Sequence, residues 1–294
     1  MLREKTVINM IEHYKNMSTC KKGIIYFNTG RKCLVRLIVS LYSLRKVYDG
    51  NLSLLTSGED EPEYDIISKT FNLNIIKNKH IASEGENRVY LEKCLTHLNT
   101  PYDTTIWLDA DTIILKDPSE DLWRNAEENE FAISQFSTWT TQGGRIGKRI
   151  RSWEKIYPEY IEEAIKFGSA INCGVISFQK TSKLMMDWYE LAIKGRYNFI
   201  PDESCCQLIL HRYPHIILDD KYNTSCKYSK IHEDTFVIHY HGRKHCRLDE
   251  NNNPIYNADI WLKYYNECIE LNICDIQNLV NTSDRMLKRF IKNK

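Results

Sequence analysis

The chain of 294 residues lacks an excess of charge of either sign. Forty Lys and Arg face thirty-nine Asp and Glu, which leaves a net charge of +1. Without a global field, the molecule is not expected to be drawn to nucleic acid or to an anionic membrane. A Pro-rich or Gly-rich linker, an internal repeat and a low-complexity tract are also missing, which favours one continuous domain over two.

A long apolar run is absent from the first 22 residues, where charged residues interrupt short apolar pieces. This pattern is not that of a signal peptide or membrane anchor, and it predicts a cytoplasmic protein without a transmembrane segment. The ten cysteines form no CxxC pair and show no zinc-type spacing. We therefore expect free, mostly buried thiols rather than disulfides or a zinc site.

Apolar residues make up 42% of the chain and charged residues 27%, a balance that excludes wholesale disorder and permits a large core. From residue 23, short apolar runs alternate with amphipathic stretches, which predicts a parallel sheet with crossover helices. Residues 136–169 show neither the two-residue alternation of a strand nor the 3.6-residue period of a helix, and they are predicted to form a functional loop or lid. The predicted strands are 23–27, 52–56, 73–76, 104–108, 112–115, 130–135, 170–178 and 235–239. The predicted helices are 31–48, 62–71, 88–98, one that begins near 117–119, 182–193, 202–211 and those in 258–294.

Two acids end the most apolar of the predicted strands. Asp109 and Asp111 follow Leu108, and a second apolar run begins at Thr112. Residues i and i+2 of a strand project from the same face, so both carboxylates are expected to converge. At the carboxyl edge of an open α/β sheet, where ligands bind, two such acids repel each other unless a cation lies between them. Oxygen ligands suit Mg²⁺ or Mn²⁺. The alternative is a common tripeptide in which Asp111 caps a turn.

The segment around these acids, IWLDADTIILKDP at 106–118, resembles the DxD segment of nucleotide-sugar glycosyltransferases of the GT-A type. The group that includes glycogenin and bacterial lipopolysaccharide galactosyltransferases is especially similar. Three further segments follow in that family's order. They are NCGVISF at 172–178, similar to the strand at the acceptor site, PDE at 201–203, similar to a helix-opening Pro-Asp-Gln, and HYHG at 239–242, similar to a C-terminal H-x-x-G.

The resemblance, which covers about residues 23–245, implies the fold and the activity. The fold would be a single GT-A domain over residues 1–294, an α/β, Rossmann-like domain with a mixed, mostly parallel central sheet flanked by helices. Residues 23–135 would bind the nucleotide sugar, 136–250 would face the acceptor, and 251–294 would form C-terminal helices. The implied activity is metal-dependent transfer of a sugar from a nucleotide-diphosphate donor, typically a UDP-sugar, to a hydroxyl of a glycan or other acceptor.

The resemblance also implies a metal site. Asp109, Asp111 and His239 would hold a divalent ion, commonly Mn²⁺, against the diphosphate of the donor. An imidazole ligand suits Mn²⁺ better than Mg²⁺. His241 lies two positions away on the same strand face and is a rival ligand, and His239 itself would otherwise be a packed histidine at the end of a strand.

Further donor contacts are expected along the same edge of the sheet. Each has a plainer alternative: a solvated helix face for Arg88 and Lys93, and a turn former for Gly30. The family pattern continues after Gly242 with a Lys and then Pro-Trp, whereas here Lys244 comes one position early and His245-Cys246 follows. Lys244 and Arg243 are the predicted cations for the phosphates. The full set of predicted donor-binding residues is Asn28, Thr29, Gly30, Arg88, Lys93, Asp109, Ala110, Asp111, Gly242 and Lys244.

Asp202 and Glu203 are the predicted catalytic residues, because an inverting enzyme needs a carboxylate that takes a proton from the acceptor hydroxyl. A retaining enzyme of the glycogenin type has Gln where this chain has Glu203, and an amide cannot act as a base. Both outcomes stay open, as does a helix N-terminal role for either acid. In the segment 136–169 we expect an aromatic platform for a sugar ring and a basic cluster facing an anionic or polyhydroxyl acceptor or the diphosphate. The residues concerned are Trp139, Trp153, Tyr157, Arg145, Lys148, Arg149 and Arg151.

Two other functions remain open at this point. A sugar nucleotidyltransferase also uses acids and a divalent metal, but it would usually show a Gly-rich phosphate loop after the first strand, and Asn28-Thr29-Gly30-Arg31 is a poor version of one. A non-catalytic nucleotide-sugar-binding module of the same fold is the second. Intact Asp109, Asp111 and His239 argue against it.

Overall fold

A computed structural model describes residues 20–58, 61–78, 88–140, 144–198, 200–228, 231–242, 244–251, 253–283 and 285–292. The strands are β1 (Cys20–Asn28), β2 (Leu52–Ser57), β3 (Asn74–Asn78), β4 (Tyr102–Leu108), β5 (Thr112–Ile114), β6 (Phe131–Thr140), β7 (Ser169–Gln179), β8 (Ile216–Leu218), β9 (Thr224–Ser225) and β10 (Val237–His239). The α-helices are α1 (Leu34–Arg45), α2 (Glu63–Phe71), α3 (Arg88–Leu98), α4 (Ser119–Asn129), α5 (Gly144–Arg151), α6 (Pro158–Phe167), α7 (Lys183–Lys194), α8 (Pro201–Ile209), α9 (Ala258–Glu270), α10 (Ile276–Ser283) and α11 (Arg285–Lys292).

The central sheet has seven strands in the order β3-β2-β1-β4-β7-β6-β8. Strands β1 to β4 run parallel to one another, β7 runs antiparallel to both of its neighbours, and β8 is parallel to β6. The prediction of a mixed, mostly parallel sheet is therefore confirmed. Because β1 and β4 are adjacent and parallel, their carboxyl ends lie at the same edge, which brings Asn28 and Asp109 to one side of the molecule.

A second, smaller sheet crosses this edge in the order β5-β10-β9. Strand β10 pairs antiparallel with β5, with His239 opposite Thr112, and parallel with β9, with His239 opposite Ser225. Two segments that are distant in the sequence therefore meet directly beyond the end of β4. The sequence predicted β5 and β10 as separate apolar runs but did not predict that they pair.

Helices cover both faces of the central sheet and enclose two apolar cores. Helix α1 packs its leucines and isoleucine, at positions 34, 37, 38, 41 and 44, against one face, where all five are fully buried. On the other face, Trp107 and Trp188 belong to a core formed with α3, α7 and α8. The nine cysteines whose side chains are described are free thiols, and eight of them are buried, as predicted.

The prediction of an irregular loop at 136–169 is wrong for its described residues. Strand β6 runs on to Thr140, and α5 and α6 follow. The missed signal in α5 is Ile146 and Ile150, which are four positions apart and both buried. Pro158 begins α6 at the first helical turn, where it has no hydrogen bond to lose.

The described helices contain none that is both long enough and apolar enough to cross a bilayer.

Candidate metal and donor site

The turn between β4 and β5 carries the two acids at the edge of the central sheet. The Asp109 amide donates to the carbonyl of Gly174 in β7, with an N···O distance of 2.8 Å, so Asp109 is anchored to the neighbouring strand. The chain then turns tightly, because the amide and the hydroxyl of Thr112 both donate to the Asp109 carbonyl, at 3.2 Å and 2.8 Å. The result is a turn whose backbone is fixed on both sides of Ala110.

A buried chain of hydroxyl groups supports this turn from below. The Thr112 hydroxyl already donates to the Asp109 carbonyl, so the Ser40 hydroxyl, 3.0 Å away, donates to Thr112. The Tyr26 hydroxyl lies 3.0 Å from Ser40 and donates in turn. Burial raises the pKa of Tyr26, which keeps its proton in place for this role. The polar groups beneath the site are therefore satisfied without water.

Strand β10 brings the third member of the site. Tyr240, the residue after β10, is held to the turn because its amide donates to the Asp111 carbonyl at 2.8 Å. His239 Nε2 then lies 3.2 Å from Asp111 Oδ1 and 4.0 Å from Asp109 Oδ2. One ligand atom from each of these three residues lies within 4.8 Å of the other two. The three residues predicted as metal ligands are brought together.

The side chains around these three residues select the atoms that face the centre of the group. Asp109 Oδ1 accepts hydrogen bonds from Trp107 Nε1 at 2.9 Å and from Lys93 Nζ at 2.8 Å, so Oδ2 is the oxygen left for an ion. Asp111 Oδ2 lies 3.7 Å from an Arg36 nitrogen, which leaves Oδ1 beside the imidazole. Two carboxylate oxygens and one imidazole nitrogen form a donor set that a divalent ion such as Mn²⁺ accepts.

Asp111 and His239 shift the pKa values of each other in the directions that favour their charged forms. Burial alone would raise the pKa of Asp111, but the charge and the hydrogen bond of His239, together with Arg36, lower it well below its ordinary value. Burial alone would lower the pKa of His239, but Asp111 and Asp109 raise it. A divalent cation at this point would compete with a proton for Nε2.

Nδ1, the other ring nitrogen of His239, also has a hydrogen-bond partner. Nδ1 lies 3.0 Å from the side-chain oxygen of Asn223, which can only accept, so Nδ1 carries a hydrogen. In metal-binding histidines, a hydrogen bond of this kind fixes the ring and directs the other nitrogen towards the metal. No sequence motif pointed to Asn223 as a partner of His239; it lies between a short 3-10 helix (Asp220–Tyr222) and β9.

Gly174 forms the floor under the His239 ring. A Cβ atom at this position would lie 2.2 Å from Cε1 and 2.5 Å from Nδ1 of His239, and 2.9 Å from Asn172 Oδ1. These distances are far shorter than van der Waals contact, and the ring atoms belong to a buried side chain held on both nitrogens. The glycine of the NCGV motif is thus explained by the close approach of the imidazole.

We expect Gly174→Ala to displace His239 and to lower the affinity for Mn²⁺ by about 100-fold or more, because one ligand of three is lost or misplaced. Isothermal titration calorimetry with Mn²⁺ measures this effect. Gly50→Ala is the matched control, since a Cβ there would also collide, but with the ring of Tyr48 on the other side of the fold. An unchanged Mn²⁺ affinity in Gly174→Ala would show that His239 is not a ligand.

Lys93 lies at the centre of the acids of the site. Its Nζ contacts Asp109 Oδ1, donates to the Cys173 carbonyl at 3.2 Å and lies 3.6 Å from Asp202 Oδ2. Burial alone would lower the pKa of Lys93, but Asp109 and Asp202 raise it, so this lysine is charged. The structure places it inside the site rather than on a solvated helix face.

Asp202 and Glu203 differ in how their oxygens are used. Asp202 Oδ2 faces Lys93, while Asp202 Oδ1 is buried and has no hydrogen-bond partner among the described residues. Both oxygens of Glu203 are engaged, one by Arg149 and the other by Asn172 Nδ2 at 2.9 Å. Burial raises the pKa of both carboxyl groups. Asp202 is therefore the acid with a free acceptor atom.

The carboxyl end of β1 lies beside this group, where the donor base and ribose were predicted to bind. Asn28 Nδ2 donates to the Gly30 carbonyl and to the Tyr64 hydroxyl, both at 2.9 Å, which directs Asn28 Oδ1 away from them. That oxygen is buried and has no partner among the described residues. Thr29 Oγ1 donates to the Ser57 carbonyl at the end of β2. Gly30 has a φ of 65°, a conformation that glycine adopts easily.

The loop after β10 holds the predicted phosphate cation. Gly242 has a φ of 68°, which allows the chain to turn back so that Lys244 Nζ lies 2.9 Å from His241 Nδ1. The other nitrogen of His241 lies 3.1 Å from Ser225 Oγ. Burial, with nearby His239 and Lys244, lowers the pKa of His241 to about 3. Both ring nitrogens of His241, the rival ligand, contact other side chains, and His241 does not belong to the group of ligand atoms that lie within 4.8 Å of one another.

The aromatic platform predicted from Trp153 and Tyr157 is wrong. Trp153 is fully buried and Tyr157 is 5% exposed, and the two rings stack on each other inside the second core. Tyr90, on α3 three positions before Lys93, is an exposed aromatic residue whose phenol is influenced by the charge of Asp202. Burial and the charge of Asp202 raise the pKa of its phenol.

The predicted basic cluster is dispersed. Arg149 pairs with Glu203, Arg151 pairs with Glu162 and Lys148 is exposed. The side chains of Arg88, Trp139 and Arg145, as well as residue 243, lie outside the described residues.

Arg36 is the charged residue of the site that the sequence analysis did not identify. It lies on α1, is 9% exposed, and faces Asp111. A signal was present, because Arg36, Ser40 and Ser43 are spaced i, i+4 and i+7 and form a polar stripe on an otherwise apolar helix. All three side chains are buried.

No protein-family model and no curated protein sequence matches the chain. Solved structures do match. The apo form of mouse xyloside xylosyltransferase 1 has a TM-score of 0.52 at 14% identity, over 76% of this chain and 99% of that one. The galactosyltransferase LgtC, in complex with donor and acceptor sugar analogs, has a TM-score of 0.57 at 12% identity, over 83% of this chain and 95% of that one. GlyE of Streptococcus pneumoniae TIGR4 has a TM-score of 0.57 at 15% identity, over 86% of this chain and 65% of that one.

These structural neighbours are glycosyltransferases, and at such low identity they report on the fold. The mixed, mostly parallel sheet flanked by helices agrees with what the sequence predicted. The chain has the GT-A fold that these glycosyltransferase structures share.

Proposed function

We propose that this protein is a metal-dependent glycosyltransferase that transfers a sugar from a nucleotide-diphosphate donor, a UDP-sugar, to a hydroxyl of a glycan or another acceptor. The observation that carries the proposal is the group of Asp109, Asp111 and His239 at the carboxyl edge of the sheet, next to the end of β1. In open α/β sheets, ligands bind at this edge.

Asp109 Oδ2, Asp111 Oδ1 and His239 Nε2 would hold the ion, and we propose Mn²⁺ because a mixed carboxylate and imidazole set suits it better than Mg²⁺. When bound, a divalent metal supplies a Lewis acid that stabilises the negative charge on the departing diphosphate. Lys93 and Arg36 are held close to the same acids and would add fixed positive charge in a partly buried setting.

The free acceptor atom of Asn28 favours a donor nucleotide whose base carries an N–H group on its hydrogen-bonding edge, as uracil does. Its free Oδ1 is an acceptor at the end of β1, and its amide nitrogen is fully used within the protein. A buried acceptor without a donor costs about 1–3 kcal/mol, a cost that a ligand N–H would remove. Lys244 is the proposed phosphate cation of the loop after β10, with Gly242 as its turn.

Asp202 is the proposed catalytic carboxylate, because it keeps a free oxygen while Glu203 does not. Tyr90 is the proposed aromatic surface for a sugar ring, in place of the two buried aromatic residues of the middle segment. The division into a donor half at 23–135 and an acceptor half at 136–250 remains part of the proposal. So does a cytoplasmic location, which the free thiols support.

We expect Asp202→Asn to lower kcat by about 100-fold or more, in the range typical of a lost acid or base. Glu203→Gln is the matched variant, and it should lower kcat less, because Glu203 is already bound to Arg149 and Asn172. Steady-state kinetics of both variants with the best donor measures the difference. A larger loss in Glu203→Gln than in Asp202→Asn would contradict the assignment.

A panel of nucleotide sugars, incubated with the protein and Mn²⁺, tests the function as a whole. The expected result is hydrolysis or transfer with at least one UDP-sugar, detected as release of UDP, and its loss in EDTA. If no nucleotide sugar is turned over or bound, the proposal fails. Formation of a nucleotide sugar from a nucleoside triphosphate and a sugar phosphate would instead identify a nucleotidyltransferase.

A further inference from the structure

Asn223 lies outside the segments that the sequence analysis identified, yet it is the direct partner of a predicted metal ligand. The residue is 8% exposed and precedes β9. Its two amide atoms have different partners. Asn223 Oδ1 lies 3.0 Å from His239 Nδ1, and Asn223 Nδ2 donates to Asn172 Oδ1 at 2.9 Å and to the Asn172 carbonyl at 3.4 Å.

The orientation of the Asn172 amide is determined by the main chain. The amide of Gly174 donates to Asn172 Oδ1 at 3.0 Å, and a backbone N–H cannot become an acceptor. Asn172 Nδ2 consequently points the other way, where it donates to a Glu203 oxygen at 2.9 Å. Arg149 holds the second oxygen of Glu203, which keeps this carboxylate in place as an acceptor.

The orientation of Asn223 then follows. Both Asn172 atoms that it faces are acceptors, so Asn223 must direct its NH₂ group towards them and its oxygen towards His239. An amide oxygen cannot donate, so the hydrogen of this contact belongs to His239 Nδ1. The direction of every hydrogen bond from Glu203 to the imidazole is thus fixed by Gly174 and by the Asn172 carbonyl.

We propose that Asn223 is a positioning residue that keeps the hydrogen of His239 on Nδ1 and thereby reserves the Nε2 lone pair for a divalent cation. Asn172 and Glu203 act behind it as an amide relay (Glu203, Asn172 and Asn223). The proposal rests on the proposed function, because it assigns a purpose to the metal group. It concerns this chain's own hydrogen bonds, which exist without the ion.

The relay matters because a neutral imidazole in water prefers to carry its hydrogen on Nε2, where the nearby Asp111 would also accept it. A ring in that form presents no lone pair to a cation. A partner that accepts only from Nδ1 removes this competing form, and partners of this kind are typically worth 10-fold to 100-fold in metal affinity.

The test uses Asn223→Leu and Asn223→Asp in the whole 294-residue chain. Asn223→Leu removes the acceptor, and we expect its affinity for Mn²⁺, measured by calorimetry without nucleotide, to fall about 10-fold to 100-fold. Asn223→Asp keeps an oxygen towards Nδ1 but turns its second oxygen towards two acceptors of Asn172, so its affinity should fall between those of the wild type and Asn223→Leu. Thr224→Val is the matched control, since it removes a hydrogen bond to the Asp220 carbonyl from the adjacent residue.

A second measurement does not depend on the ion. In ¹⁵N-histidine NMR spectra of the metal-free protein, at a pH at which the His239 ring holds one proton, Nδ1 should show the shift of a protonated nitrogen. In Asn223→Leu this shift should move towards that of an unprotonated nitrogen. A wild-type Nδ1 without a hydrogen would overturn the proposal, even if Asn223→Leu failed to fold.

The two measurements separate the relay from the proposed function. If the wild type bound no Mn²⁺ while Nδ1 was protonated, the metal-dependent function would fail and the positioning of His239 would stand. If the wild type bound Mn²⁺ and Asn223→Leu bound it equally well, the relay would be refuted and the metal site would remain.

Discussion

Asp111→Ala is expected to abolish the thermal stabilisation that Mn²⁺ and UDP together give the wild-type protein. Asp111 supplies one of the three ligand atoms, and its backbone carbonyl, which holds Tyr240, is retained in the variant. A ligand at 100 times its Kd stabilises a protein by about 2.7 kcal/mol. For a chain of this size, that corresponds to a rise of roughly 5 °C in Tm. Differential scanning fluorimetry with and without Mn²⁺ and UDP measures it.

The fold of Asp111→Ala should survive, because the substitution also relieves the repulsion between the two acids, which offsets part of the lost pairing with His239. Asp103→Ala is the matched control. Asp103 lies on the same strand, β4, but near the opposite end, where its side chain is exposed. An equal increase of Tm in the wild type and in Asp111→Ala would refute the proposed metal site.

Lys93→Met is expected to lower the free energy of unfolding of the metal-free protein strongly. Lys93 is the shared cation of Asp109 and Asp202, and its side chain is 10% exposed. Removing one partner of a buried ion pair typically costs about 3–5 kcal/mol, because the remaining charge stays buried without compensation. Urea unfolding in the presence of EDTA measures the free energy of unfolding.

Mn²⁺ should restore part of this stability, and the stabilisation by Mn²⁺ should be larger in Lys93→Met than in the wild type, because the ion then replaces the missing charge beside Asp109. Lys22→Met is the matched control. Lys22 pairs with Glu127 at the surface with a third of its side chain exposed, and such pairs contribute about 0–1 kcal/mol. Equal losses of unfolding free energy in Lys93→Met and Lys22→Met would show that Lys93 does not compensate the buried negative charges of Asp109 and Asp202.

Local pattern predicted most of the parallel part of the sheet and the helices between its strands, because each of these elements has a full apolar face. It did not predict the direction of β7, since a strand that is buried on both faces has the same sequence pattern whichever way it runs. Strands β8 and β9 have three and two residues, too few to show a period. Helix α5 was missed because its two glycines and four basic residues outweigh its two buried isoleucines.

For the site, resemblance predicted the acids and the imidazole, whose grouping the structure confirms. Asn223 and Arg36 could not be found in the same way, because neither belongs to a motif of the resembling family and each reaches the site through tertiary packing. Asn223 contacts His239 across sixteen residues, and Arg36 contacts Asp111 from helix α1, 75 residues earlier in the chain. Motifs identify the atoms that contact a ligand more readily than the atoms that orient them.

The pairing of β10 between β5 and β9 has a consequence for synthesis of the protein on the ribosome. The acids of the turn are made early, but their imidazole partner follows 128 residues after Asp111. A nascent chain that ends before β10 already contains β1 to β4 and the buried hydroxyl chain, yet it has only two of the three ligands. The three candidate ligand atoms can therefore come together only after β10 has left the exit tunnel and has paired with β5.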